Sequence, residues 1–137
     1  MDSARAKLIQ EANAVIVAGQ ALDAVGRFFT EDYRVDAGAV TGTGHAFIRK
    51  ALRLTQRAFP TLAVTVEILV DDGARVAWMR TLTGRHDGTY QGFPATGRRV
   101  TWREMVTSEL REGRIAREWL LSDLAEQLLR ARKRPAA

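Results

Sequence analysis

The stretch Val100–Leu121, VTWREMVTSELREGRIAREWLL, decides the fold of this 137-residue chain. It reads as two strands, Val100 to Leu110 and Ile115 to Leu121, in which successive side chains point to opposite faces. Between them Glu112-Gly113 has the composition of a two-residue hairpin turn. Such a turn pairs Arg111 with Arg114. Counting back sets Val106 opposite Trp119, Glu104 opposite Leu121 and Trp102 opposite Asp123. Directly opposed residues share a face. One face is therefore predicted to carry Trp102, Glu104, Val106, Trp119, Leu121 and Asp123, a set that a one-residue slip would break apart.

Working outward, period-two alternation begins after Pro60, where Leu62, Val64, Val66, Ile68 and Val70 mark a strand. Asp71-Asp72-Gly73 reads as a turn, and another strand runs from about Val76 to Gly84. Gly92, Pro94 and Gly97 punctuate a longer connection, and a last helix starts near Asp123. The N-terminal part has the helical period instead. Leu8, Ala12, Val15 and Ile16 follow capping-type Asp2 and Ser3, with Gly19 as a stop. Leu22, Val25, Phe28 and Phe29 form a second set, and Phe47, Ile48, Ala51, Leu52 and Phe59 a third, opened by Thr43 and ended before Pro60. Tyr33 to Val35 is read as a brief strand. Helices followed by an antiparallel meander predict an α+β domain over residues 1–137, with the helices closing a curved sheet around a pocket.

Composition narrows the function. There is no cysteine, so disulfides, thiolate metal sites and a cysteine nucleophile are excluded. The two histidines are far apart and no HExxH motif occurs, so no metal site is expected. The net charge is +5, much of it in the basic end from about residue 130 to 137. Aromatic residues do not interleave with these cations and no nucleic-acid motif is present, so no nucleic-acid partner is expected. No apolar run is long enough for a bilayer and no signal-peptide pattern opens the chain, which predicts a soluble cytoplasmic protein away from membranes.

Several side chains have the chemistry of a small-molecule site. A carboxylate in an apolar pocket can act as a base near neutral pH. Asp123 is the first candidate, and the alternative is that it caps the final helix. His86 is a candidate proton shuttle or oxyanion donor, or else a structural histidine at a strand end. Arg80, between Trp78 and Leu82 on one face, either binds a substrate anion or pairs with Glu104 or Glu67. Tyr33, Trp78, Trp102 and Trp119 are candidates for a flat aromatic wall.

The segments Ala58-Phe59-Pro60, Val64-Thr65-Val66-Glu67, Arg80-x-x-x-Gly84-x-His86-x-Gly88, Gly92-Phe93-Pro94-Ala95-Thr96-Gly97-Arg98-Arg99-Val100-Thr101 and Gly113-Arg114-Ile115-x-x-Glu118-Trp119, followed by Asp123, together resemble the SnoaL-like polyketide cyclase family of the NTF2-like superfamily. The resemblance implies a cone-shaped fold. It also implies intramolecular aldol closure of aromatic polyketide rings by an aspartate acid/base, with neither metal nor organic cofactor. Relatives take part in polyketide hydroxylation, often beside a partner reductase, and others are ligand-binding modules. Asp123 aligns with the family aspartate. The sequence departs from the pattern at Arg85, Val106 and Leu120, the last two replacing acidic residues common in relatives. The expected ligand is a polycyclic aromatic, and the sheet's outer face is expected to pair in a homodimer.

Overall fold

A computed structural model describes residues 2–133. Helix α1, Ala4–Ala12, begins where the Ser3 hydroxyl accepts the Ala6 N–H at 3.0 Å. It buries Ala6, Ile9 and Ala12, then widens into a π-helix over Asn13–Ala18. Gly19 follows this wide turn; a Cβ there would lie 2.5 Å from the Val15 carbonyl oxygen. The second apolar set is shorter than its pattern, a 3-10 turn at Leu22–Ala24 and helix α2 at Val25–Phe28. Helix α3, Gly44–Ala58, ends ahead of Pro60 as expected. Its first turn receives no side-chain bond from Thr43, contrary to the capping role expected of that residue.

The six strands are β1 Phe29–Ala37, β2 Val40–Thr43, β3 Ala63–Asp71, β4 Arg75–Arg85, β5 Arg99–Arg111 and β6 Arg114–Ser122. They form one curved, unclosed sheet in the order β2-β1-β6-β5-β4-β3. From β3 to β6 the sheet is the antiparallel meander legible in the sequence. Strand β1 is far longer than Tyr33–Val35, and it pairs in parallel with β6, bringing the N-terminal half of the chain to the edge of the meander. Helix α4, Leu124–Lys133, buries Leu124, Leu128 and Ala131 at the end of β5. Of the basic end, Arg130, Arg132 and Lys133 belong to the last turn of α4, and Arg134 lies outside the described residues. Among the described residues no helix is long and apolar enough to cross a membrane.

The β5–β6 register corrects the expected pairing. Arg111 does face Arg114, and Glu112 and Gly113 both take the positive φ that a type I′ turn requires (52° and 77°). Leu110 then pairs with Ile115, but Glu109 pairs with Arg117. Ala116 is therefore one extra residue in β6, a β-bulge. Beyond it every partner moves by one: Val106 faces Leu120 and Glu104 faces Ser122, while Trp119 faces Thr107. Because side chains alternate, the slip exchanges the two faces of β6. Glu118 and Leu120 turn inward, whereas Trp119 and Leu121 turn outward.

Candidate functional site

The hollow side of the sheet, closed by α1, the π-helix and α3, holds a cavity of about 400 Å³. Its walls are largely apolar, from Ile16, Val35, Ile48, Ile115 and Leu120 among others. Val40, Lys50 and Leu54 stand at its exposed lip.

Two polar groupings interrupt these walls. The first is an ion pair. Arg80 and Glu104 are register partners on β4 and β5, and one guanidinium nitrogen lies 2.6 Å from the Glu104 carboxylate. Arg80 Nε donates to the same Oε1 at 2.8 Å, and another arm donates to Asn13 Oδ1 at 2.9 Å. The guanidinium also lies 5.4 Å from the centre of the Trp78 ring. Asn13 is buried at the start of the π-helix and donates its own amide to the Ile9 carbonyl at 2.9 Å. The widened turn thus delivers a polar side chain onto the apolar stripe of the first helix, as such turns often do at functional sites.

The second grouping centres on Glu118. Its Oε1 accepts the Tyr33 hydroxyl at 2.8 Å and its Oε2 accepts the Ser108 hydroxyl at 2.6 Å. Ser108 in turn accepts Trp78 Nε1–H at 2.9 Å. Burial pushes the Glu118 pKa up, opposed by the hydroxyls of Ser108 and Tyr33 and by the Arg80 charge, and aided by the Glu104 charge. Burial likewise drives the Tyr33 pKa upward, reinforced by the neighbouring Glu118 carboxylate, so Tyr33 remains neutral and donates.

Of the residues singled out in the sequence, Tyr33, Trp78, Arg80, Trp102 and Glu104 line the cavity together. Asp123, His86 and Trp119 are not among its lining residues. Trp119 is on the outer face, between Arg117 and Arg75 at 4.7 and 5.3 Å, because Ala116 reverses the parity of β6. Asp123 precedes α4 and fastens it to β5. Its carboxylate accepts the Arg103 N–H at 2.7 Å and the Gln127 side-chain amide at 3.1 Å. His86 follows the end of β4 and is fully buried, stacked on Phe59 with ring centres 5.3 Å apart. Its Nδ1 accepts the Thr96 N–H at 3.2 Å. Desolvation lowers its pKa, and the Gly88 backbone pulls the other way without completing a hydrogen bond to Nε2.

Glu118 and Asn13 also line the cavity and are not among the candidates expected from the sequence. Asn13 carries a signal of its own, a polar residue at helical spacing between Ile9 and Ile16. Glu118 stands in the segment Gly113–Trp119 that carries the family resemblance, but its inward direction does not follow from alternation without the bulge. Among the described residues no three potential metal ligands converge.

Comparison with known proteins agrees with this architecture. The family model described as SnoaL-like polyketide cyclase matches residues 7–130. A candidate SnoaL-like polyketide cyclase from Jannaschia sp. CCS1 superposes with a TM-score of 0.86 at 20% identity, covering 98% of this chain and 99% of the other. AclR of Streptomyces galilaeus, a candidate hydroxylase, gives 0.81 at 24% identity, with 96% and 97% covered. IdmH of Streptomyces antibioticus, a candidate polyketide cyclase, gives 0.77 at 24% identity, with 93% and 96% covered. At these identities the likeness is one of fold. No functionally curated protein matches the sequence. Since the family pattern spans nearly the whole chain, from α1 to α4, the protein belongs to the SnoaL-like polyketide cyclase family.

Proposed function

We propose that the protein is an enzyme that binds an aromatic polyketide in its cavity and closes a ring by intramolecular aldol condensation, using acid/base chemistry without a cofactor. The observation that carries this reading is the Arg80–Glu104 pair set in a largely apolar chamber. Glu104 removes a proton alpha to a ligand carbonyl, and the electron pair moves onto that carbonyl oxygen, facing the Arg80 charge. The enolate carbon then attacks a second carbonyl of the same chain. The resulting alkoxide takes its proton back from Glu104, so the step is balanced. This reading transfers the base from Asp123 to Glu104, because Glu104 faces the chamber.

A second reading is cofactor-free hydroxylation of an aromatic polyketide, with a partner reductase. It draws on the inward pairing of Val106 with Leu120, two positions where relatives often carry acids, and on the fold shared with AclR. A deprotonated, electron-rich ring can react with oxygen directly. Incubation of the purified protein with linear and cyclised polyketide substrates, with and without oxygen, tests both readings. Anaerobic ring closure supports the first, and strictly oxygen-dependent product supports the second. Saturable binding without turnover under either condition would leave a ligand-binding module.

Self-association through the outer sheet face belongs to the same proposal. Met105 and Leu121 are opposed there and are 48% and 68% exposed. Leu121→Lys is expected to shift a dimer to monomer in sedimentation; a monomeric wild type would end this part of the proposal.

A further inference from the structure

We infer that Tyr33 and Glu118 form a proton relay that ionises a phenolic or enolic hydroxyl of the ligand held in the cavity. The inference rests on the cavity being the polyketide site, and it assigns to that site a demand on the ligand: an acidic hydroxyl placed against Tyr33.

The hydrogen-bond directions carry it. Indole Nε1 can only donate, so the bond from Trp78 to Ser108 fixes the Ser108 oxygen as its acceptor. The Ser108 proton then points at Glu118 Oε2, and the Tyr33 proton points at Oε1. Two branches, Trp78 to Ser108 to Glu118 and Tyr33 to Glu118, thus converge on a single carboxylate. Tyr33 has one proton and it is committed, so its oxygen offers the chamber lone pairs only. It accepts a hydroxyl and does not donate one.

A ligand hydroxyl on Tyr33 extends this chain. The ligand O–H breaks, leaving its electron pair on the ligand oxygen, and that proton forms a new O–H on Tyr33. The original Tyr33 proton passes to Glu118 Oε1, which becomes a neutral acid. One proton has moved and charge is conserved. Burial of both Tyr33 and Glu118 favours this concerted passage over a free tyrosinate. The charged groups facing the relay are Arg80 on β4 and Glu104 on β5, beside Tyr33 on β1 and Glu118 on β6. Arg80 favours the anionic end of the exchange, and Glu104 opposes a charged Glu118.

Alizarin, a dihydroxyanthraquinone whose absorption moves to longer wavelength on ionisation, serves as the probe. Its spectrum is titrated from about pH 5 to about pH 9 in the bound state with wild type, Tyr33→Phe and Glu118→Gln. Because the proton stays within the complex, the expected result is a ratio of ionised to neutral bound dye about tenfold higher on wild type than on either variant at a fixed pH below the dye's own midpoint, with binding retained. Tyr33→Phe keeps the ring and its edge contact with Phe29, so it decides the matter should Glu118→Gln fail to fold. Equal ionised fractions on wild type and Tyr33→Phe, with the dye bound to both, would overturn the relay while leaving the cavity reading intact. Absence of saturable binding to wild type would overturn the cavity reading and the relay with it.

Discussion

Arg80 and Glu104 are direct register partners on β4 and β5, and their side chains close to 2.6 Å inside the chamber. The carboxylate is thus held at a fixed place by a charge that also lines the chamber. Glu104→Gln keeps the shape and removes the proposed base. Turnover is expected to fall about a hundredfold or more with little change in ligand affinity. Steady-state kinetics on the identified substrate checks this. An unchanged rate would remove Glu104 from the chemistry.

Asp123 gives the contrasting case. Its two hydrogen bonds join α4 to β5 and neither faces the cavity. Asp123→Ala is expected to lower stability by about 1 kcal/mol, as the loss of a side-chain hydrogen bond to a strand N–H does, and to leave turnover intact. Denaturant unfolding beside a rate assay separates the two effects. A large rate loss with stability retained would return Asp123 to the active residues.

The Gly84-x-His86-x-Gly88 motif is held by close packing. A Cβ on Gly88 would lie 2.3 Å from the Arg57 carbonyl oxygen, and one on Gly84 would lie 2.7 Å from that of Thr61. Backbone cannot yield as a side-chain tip can. Gly88→Ala is expected to cost about 2 kcal/mol and to lower Tm by several degrees, measured by thermal unfolding.

Asp71 ties the start of α1 to the end of β3 through Ser3 and Arg5. The Ser3 hydroxyl, with the Gly73 N–H and the Arg5 charge, holds its pKa below the usual carboxylate value. A lowered folded-state pKa adds stability that is present above the unfolded value and is lost as pH falls through the folded one. Asp71→Asn is therefore expected to be less stable than wild type at neutral pH. The gap is expected to close from about pH 4 downward, as followed by acid unfolding.

These outcomes divide along what the sequence could express. The strands after Pro60 are legible because alternation is local, and Arg80, Trp78 and Trp102 sit on the parity it assigns. The pairing of β1 with β6 joins residues more than eighty positions apart and leaves no local trace. Counting from the turn ties Trp119 and Asp123 to the face of Glu104, and that count passes through Ala116, a small residue with nothing in its type to announce a bulge. Glu118 enters the chamber for the same reason that Trp119 leaves it.

Ala116 therefore works as a phase shifter for the whole of β6. Removing that single codon would rotate the following residues by half a pleat, sending an indole into the chamber and expelling the buried acid. Such a deletion would exchange an acidic interior for an aromatic one along β6 and remove the relay's acid, while leaving the Arg80–Glu104 pair on β4 and β5 in place.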